Sequence, residues 1–231
     1  MGFVEECVRD SMPIWQQCLD SEFLRGMEAG TLPIDCFAGY IVDDSLYLRE
    51  YGRVFAAAMV KAKTLEEMRT YYSFLTFINC GEGTTRVQYL RNMGLTEEAI
   101  EPLPQRPENR AYTEFMLRAV EEGDLGPECM MAGLPCMLSY AWIFHTMAER
   151  SPQVLDGPFG AMIRDYVTES GDAVCVEWAE FANKISARLT AEEKQRCLEI
   201  FRGSSLHELN FWKMSMQPRA DVQNTELILK K

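Results

Sequence analysis

The chain has 231 residues, of which 35 are acidic and 23 basic, so its net charge is −12. This length fits one large domain or two small ones, and a 47% hydrophobic composition excludes disordered and collagen-like chains. The acidity disfavours nucleic acid as a partner, because Lys and Arg must replace the counterions of phosphate. The eight cysteines include no C-x-x-C pair, so zinc and thioredoxin-type sites have no local support.

The first residues, Met1 to Glu6, place acids where a secretory signal needs positive charge. Apolar stretches such as 54–60 are far shorter than the roughly 20 residues that span a bilayer. We therefore expect a soluble, cytoplasmic protein with reduced thiols and no membrane association.

Apolar residues recur at helical spacing along nearly the whole chain. A long helix is predicted from Pro33 to about Lys63. A capping box at Thr64-Leu65-Glu66-Glu67 opens a second helix, which should fade near Gly94. Further helices are predicted at 108–120, from 127 to about 147, and near 159–168, with a loop at 151–158 before the last of these.

A second capping box, Thr190-Ala191-Glu192-Glu193, starts the final long helix, which Pro218 should stop. Strand signals are nearly absent. The sequence therefore predicts an all-α fold, a single-domain helical bundle of eight to ten helices over residues 1–217, followed by a polar tail over 218–231.

Tyr40, Asp44 and Tyr47 fall at i, i+4 and i+7, on one face of the first long helix. A carboxylate between two phenols offers a hydrogen-bond acceptor between flat walls, which suits a small aromatic heterocycle. The alternative is that Asp43 and Asp44 are solvated and the tyrosines belong to the core. Periodicity leaves both interpretations open.

Pro135 lies inside a helical pattern, where it removes a backbone hydrogen bond and should kink the chain beside Cys136. Tyr140 follows one turn later on the same face. A cysteine beside a kink and a phenol is a candidate nucleophile. The alternative is a buried, inert thiol, which is the commoner state of a cysteine.

Glu208 has Phe211 and Trp212 at i+3 and i+4, so an acid shares a helix face with large apolar rings. Such surroundings raise the pKa of a carboxyl group and make it a usable general acid. The alternative is a surface glutamate beside core aromatics. His207 points elsewhere by spacing and is expected to be structural. With two histidines in the chain and no Glu-x-x-His pair, the sequence predicts no metal site.

Together these segments resemble the TenA family, also called thiaminase II, of the haem-oxygenase-like fold. The similarity runs from about Leu32 to Trp212. It rests on the order and spacing of four motifs: Tyr40-x-x-Asp43-Asp44-x-x-Tyr47-Leu48, Ala111-Tyr112-Thr113, Leu134-Pro135-Cys136-x-x-x-Tyr140 and Glu208-x-x-Phe211-Trp212.

The resemblance implies a hydrolase of aminopyrimidines in thiamin salvage, which converts 4-amino-5-aminomethyl-2-methylpyrimidine to the hydroxymethyl product and in some members splits thiamin. Cys136 would be the nucleophile and Glu208 the acid/base. By the same resemblance, Asp44 would bind the amino edge of the pyrimidine and Tyr140 would orient the thiol of Cys136. The ring would be framed by Tyr47, Tyr112 and Phe211, and Tyr166 would line the pocket. No cofactor is implied, and a homotetramer or dimer is expected.

The sequence departs from the family pattern in three places. Phe159 and Met162 stand where a tyrosine and a tryptophan are usual, although Tyr166 is kept. Asp43 replaces a glutamine, and the segment around Glu82 lacks an expected histidine. Two alternatives therefore stay open: a non-catalytic pyrimidine-binding protein, and a sister enzyme of the same fold with a different heterocyclic substrate.

Overall fold

A computed structural model describes residues 2–80, 83–123 and 126–222, with side chains for 2–76, 85–123 and 126–222. These residues form eleven α-helices and one 3-10 helix, and the described chain contains no strand. The all-α fold class is therefore confirmed. The α-helices are α1 (Phe3–Leu19), α2 (Glu22–Ala29), α3 (Ile34–Lys61), α4 (Leu65–Cys80), α5 (Gly83–Asn92), α6 (Glu97–Ile100), α7 (Pro107–Glu122), α8 (Gly126–Arg150), α9 (Gly160–Tyr166), α10 (Glu169–Ser186) and α11 (Ala191–Ser215).

Capping chemistry fixes the starts of two long helices. The Thr190 hydroxyl accepts from the Glu193 amide, and the Glu193 carboxylate accepts from the Thr190 amide at 2.7 Å, so the predicted capping box opens α11. At α4, Thr64 accepts from the Glu67 amide at 3.1 Å. The Glu67 carboxylate accepts from the Lys63 amide, one residue before the position that a capping box uses.

The central element is α8, which packs against α3, α7, α10 and α11. All residues from Gly126 to Met137 are buried, so this half of the helix is enclosed on every side. At Gly133 the approach of α3 is so close that an added Cβ would lie 2.7 Å from Cζ of Phe55. A side chain here would force the Phe55 ring to move, so the crossing favours glycine.

The helix α8 continues through Pro135. Just before the proline, the Tyr51 hydroxyl donates to the Gly133 carbonyl at 2.9 Å, and the Ser204 hydroxyl donates to the Ala132 carbonyl at 2.8 Å. Side chains from α3 and α11 thus hold the turn that precedes Cys136.

The described residues form eleven α-helices where eight to ten were expected, and the helix expected from Thr64 to about Gly94 is described as α4 and α5. Two further segments differ from the sequence prediction. The loop expected at 151–158 contains a 3-10 helix, Pro152–Asp156, between α8 and α9. The polar tail expected from residue 218 is packed onto the domain over its first residues, since Arg219 and Val222 are buried. Apolar and ion-pair contacts both hold this segment, so the folded domain reaches at least Val222. Residues 223–231 lie outside the described part of the chain.

No helix among the described residues is both long enough and apolar enough to cross a membrane.

Candidate active site

A cavity of about 490 Å³ opens between α3, α5, α8, α9 and the start of α10. Its size is within the range of small-molecule sites. Four of the predicted site residues line it: Asp44, Cys136, Tyr140 and Tyr166. Tyr40 lines it too, so α3 presents the predicted phenol and carboxylate to one space.

The other four predicted residues form a layer behind this cavity. Tyr112 donates a 2.7 Å hydrogen bond to Oε1 of Glu208, which is buried. The ring of Tyr47 lies 5.0 Å from the ring of Tyr112 and 5.9 Å from that of Phe211. The alternative of a surface Glu208 is therefore wrong.

Tyr40 connects the two layers. Its hydroxyl lies 3.5 Å from the hydroxyl of Tyr140, and its ring stacks on Trp212 with centroids 5.4 Å apart. The ring of Phe211 meets its edge at 6.1 Å. Electrostatic effects of Cys136 and Glu208 both reach the Tyr40 phenol, so thiol and carboxyl belong to one neighbourhood.

The Asp44 carboxyl is half-buried against the cavity. Burial raises its pKa to about 6, Arg86 opposes that shift, and the neighbouring charge of Asp43 adds to it. The carboxyl is thus largely ionised at neutral pH and offers acceptor oxygens to a ligand with N–H donors.

Asp43 points away from the cavity and is fully buried. Its carboxylate accepts hydrogen bonds from Arg106 and, at 2.6 Å, from Arg219. The alternative in which Asp43 is solvated is therefore wrong.

Cys136 reaches the cavity wall with 8% of its surface exposed. Other cysteines are sealed in the core, where burial raises the pKa of Cys7 and Cys197 to about 12 and that of Cys129 to about 11. Among these four thiols, Cys136 is the one with access to a small molecule in the cavity.

A family model described as TENA/THI-4/PQQC matches residues 9–218. The chain belongs to this family. It is 30% identical to an uncharacterized protein of Haemophilus influenzae, over 92% of this chain and 98% of that one. It is also 30% identical to an aminopyrimidine aminohydrolase of Helicobacter pylori, over 90% of this chain and 96% of that one.

Solved structures of the TenA family share the fold. The crystal structure of a TenA family transcription regulator from Silicibacter sp. TM1040 superimposes with a TM-score of 0.84. The two sequences are 26% identical, and the alignment covers 94% of this chain and 97% of that one. The TenA resemblance drawn from the motifs is therefore confirmed.

His207, expected to be structural, lies against this TenA site. Its ring stacks on Tyr112 with centroids 5.4 Å apart and planes inclined by 6°. Tyr47 covers Tyr112 at 5.0 Å, so two rings hold the phenol that contacts Glu208. Burial lowers the pKa of His207, which keeps this imidazole uncharged at neutral pH.

Sequence reasoning missed the outer wall of the cavity, which includes Arg86 and Asp165. Arg86 donates to the Ser45 hydroxyl at 2.7 Å and to Glu97 at 3.0 Å. Burial raises the pKa of Asp165, and a hydrogen bond from Thr85 opposes the shift. Arg86 lies near the missing histidine and Asp165 lies within the segment 159–166, but neither occupies a position that the family pattern specifies. Glu82, near the missing histidine, lies outside the described residues.

Among the side chains that the structure describes, no group of three His, Cys, Asp or Glu could hold a metal ion. The cavity combines phenol rings with carboxyl groups and a thiol. This lining suits a flat organic ligand with hydrogen-bond donors on its edge.

Proposed function

We propose that this TenA-family protein is an aminopyrimidine aminohydrolase of thiamin salvage. It converts 4-amino-5-aminomethyl-2-methylpyrimidine and water to the hydroxymethyl pyrimidine and ammonia. The observation that carries the proposal is the placement of Asp44 and Cys136 on one cavity, with the Tyr112–Glu208 pair directly behind it. The names of relatives such as the Helicobacter pylori aminopyrimidine aminohydrolase support it.

The pyrimidine lies in the cavity against Tyr140 and Tyr166, whose rings are in contact with centroids 5.5 Å apart and together form one wall. Asp44 accepts from the 4-amino group, and the direction of this bond orients the ring relative to the thiol. Tyr140 orients the thiol of Cys136, and the rings of Tyr47, Tyr112 and Phe211 support the site from behind.

The Cys136 thiolate adds to a ring carbon conjugated with the exocyclic methylene. Aromaticity is lost at this step, and the displaced electrons expel the protonated amine as ammonia. Water then adds to the methylene and forms the hydroxymethyl group. The thiolate leaves, aromaticity returns, and one water has replaced one ammonia.

Glu208 moves the protons that these steps need. Protonation of a ring nitrogen assists attack by the thiolate, and protonation of the amine assists its departure. Tyr112 donates to Oε1 of Glu208 and so holds the orientation of this carboxyl group. Tyr112 therefore acts through Glu208.

The departures from the family pattern bear on substrate preference. Met162 lines the cavity, whereas Phe159 packs on Phe37 at 4.8 Å and is buried. The loss of an indole at 162 changes one cavity wall and favours, as a second candidate, a sister enzyme that accepts a different aminated heterocycle. A non-catalytic pyrimidine-binding protein remains the third. Cleavage of thiamin itself would be an additional activity of the proposed aminopyrimidine hydrolase.

The partners and setting of the protein follow from the same proposal. We infer a homotetramer or dimer in the cytoplasm, without a nucleic-acid or membrane partner. The net charge of −12 supports the absence of nucleic acid.

Ammonia release from the aminomethyl pyrimidine tests the function. We expect turnover by the wild type, and at least about a thousandfold loss of kcat in Cys136→Ser. Cys175→Ser is the matched control, because Cys175 also lines the cavity and has no assigned role. Turnover on thiamin or an N-formylated analogue alone would favour the sister enzyme. Ligand binding without turnover would favour the binding protein. Full activity in Cys136→Ser would contradict the mechanism.

A further inference from the structure

A buried ion cluster lies on a different face of α3 from the cavity and ties the C-terminal segment 218–222 to that helix. Asp43 is completely buried, and a buried carboxylate is stable only when it is paired and hydrogen-bonded. Arg219 donates to its Oδ1 at 2.6 Å, and Arg106 donates to its Oδ2. The side-chain amide of Asn109 donates to the Asp43 carbonyl at 2.8 Å.

Arg219 is itself held from two sides. Its side chain is 2% exposed. It donates to both carboxylate oxygens of Asp221, at 2.8 and 2.7 Å, and to the Pro104 carbonyl at 2.9 Å. Two arginines thus balance the charges of Asp43 and Asp221. Burial raises the pKa of Asp43, and both guanidinium groups oppose that shift.

The backbone of α3 makes room for this arginine at Gly39. A Cβ at this position would lie 3.2 Å from both the amide nitrogen and Cγ of Arg219. The absence of a side chain lets the C-terminal segment lie directly on α3, one turn before Asp43. Both the glycine and the ion pair therefore fix where the segment sits.

The cluster is linked to the site by one peptide bond. Asp43 and Asp44 are consecutive in α3, so their side chains are about 100° apart around the helix axis. One carboxylate is anchored to Arg219 and the other faces the cavity. Because Asp43 is anchored to the C-terminal segment, the rotation and the axial position of α3 are fixed at its neighbour Asp44, which faces the cavity.

We propose that Arg219 is a positioning residue for substrate binding, acting through Asp43 on Asp44. The inference rests on the proposed function of the cavity and adds to it a segment that the family match, ending at residue 218, does not reach. The C-terminal segment is then part of the framework of the site.

The test compares KM and kcat for the aminomethyl pyrimidine in Arg219→Met, Asp43→Asn and the double variant. We expect each single change to raise KM about tenfold with kcat changed less than about threefold, because Asp44 is displaced as a binding group. A purely structural role would lower the active fraction, hence apparent kcat, and leave KM unchanged. The double variant should have the KM of the worse single variant, since both act through one contact. If the KM increases of the two single variants multiply in the double variant, the proposal is overturned.

Arg202→Met is the matched control, because Arg202 pairs with Asp10 on the surface and is 53% exposed. Its KM and kcat should equal those of the wild type. If Arg219→Met does not fold, Arg219→Lys keeps the charge but loses the forked contacts, and we expect a KM increase of about threefold. An unchanged KM in the variant that folds overturns the proposal. Absence of turnover and of pyrimidine binding in the wild type would instead contradict the proposed function.

Discussion

The phenol of Tyr112 and the carboxyl of Glu208 share a 2.7 Å hydrogen bond that joins α7 to α11 behind the cavity. If Glu208 moves protons, Glu208→Gln should lower kcat by about a hundredfold, as for other general acids. Tyr112→Phe should lower kcat by about tenfold, because the carboxyl loses the donor that orients it. The double variant should be no slower than Glu208→Gln, since both changes act on one proton transfer.

Tyr71→Phe is the control for the loss of a buried phenol hydroxyl. Tyr71 donates to the Gly126 carbonyl at 3.2 Å and does not line the cavity. Its removal should reduce the free energy of unfolding by about 1 kcal/mol without changing kcat. Equal losses of kcat in the two phenylalanine variants would argue against a specific role for Tyr112.

Asp44 should set the acidic limb of the pH profile. Its pKa of about 6 means that kcat/KM falls as the pH drops through 6 and levels off about tenfold lower, as the carboxylate that accepts from the amino group is protonated. Asp44→Asn should raise KM about tenfold at neutral pH and flatten the limb. Arg86 and Asp43 act on this carboxyl with opposite sign, and the phenols of Tyr40 and Tyr140 lie within its electrostatic reach.

Arg86→Gln removes the cation that stabilises the ionised form of Asp44, so the limb should move to higher pH. Asp165 also lines the cavity, and Asp165→Asn serves as a comparison. This variant removes a negative charge, so the acidic limb should move to lower pH. An acidic limb that stays in place in both Arg86→Gln and Asp44→Asn would assign it to another group.

The raised pKa of Asp44 also predicts a cost in stability. The folded chain binds this proton more tightly than the unfolded chain, whose pKa is near the ordinary 3.8. The contribution to stability is therefore complete below about pH 4 and lost as pH rises through about 6. Without ligand, Asp44→Asn should be more stable than the wild type at pH 7 by about 1–3 kcal/mol, as measured by urea unfolding. Equal stability at pH 7 would contradict the shift.

Iodoacetamide should label Cys136 before the core cysteines. Alkylation needs a thiolate that the reagent can reach, and the pKa of Cys7 and Cys197 is raised to about 12 by burial. The hydroxymethyl pyrimidine should slow the labelling of Cys136. Peptide mass spectrometry measures the rate at each cysteine. Cys175, at the same cavity, is the internal comparison. Fast labelling confined to a core cysteine would contradict this order.

Gly133→Ala should destabilise the crossing of α3 and α8. The new methyl group would lie 2.7 Å from Phe55 and 3.1 Å from Tyr51, which requires both rings to move. We expect a loss of about 1–3 kcal/mol in urea unfolding. Gly52→Ala is the paired control, because nothing lies within 4 Å of its Cβ position and alanine favours the helix, which adds about 0.5–1 kcal/mol.

Local chemistry made the long helices predictable. The Thr190 capping box places the start of α11 at residue 191, and the apolar period gives α3 to within two residues at its end, Lys61 against the expected Lys63. The same periodicity placed Tyr40 and Asp44 on one face. These features depend on residues within one or two turns, which a single sequence displays.

Contacts between distant segments were not predictable. The partner that makes a buried Asp43 stable is Arg219, 176 positions away, so spacing in α3 alone could not distinguish a buried acid from a solvated one. The cavity wall formed by Arg86 and Asp165 depends on how α5 meets α9, and no local pattern encodes that meeting. The short 3-10 helix at Pro152–Asp156 lacks the length for a periodic signal.

The dispersion of the cavity residues, from Tyr40 in α3 to Cys175 in α10 with Glu208 behind them, has a consequence for folding. No single hairpin or terminal fragment contains the site, so it forms when the last of these helices docks. Enzymatic activity and helical circular dichroism should therefore be lost in the same cooperative transition in a denaturant titration. A measurement of activity therefore reports whether all the helices that form the cavity are docked.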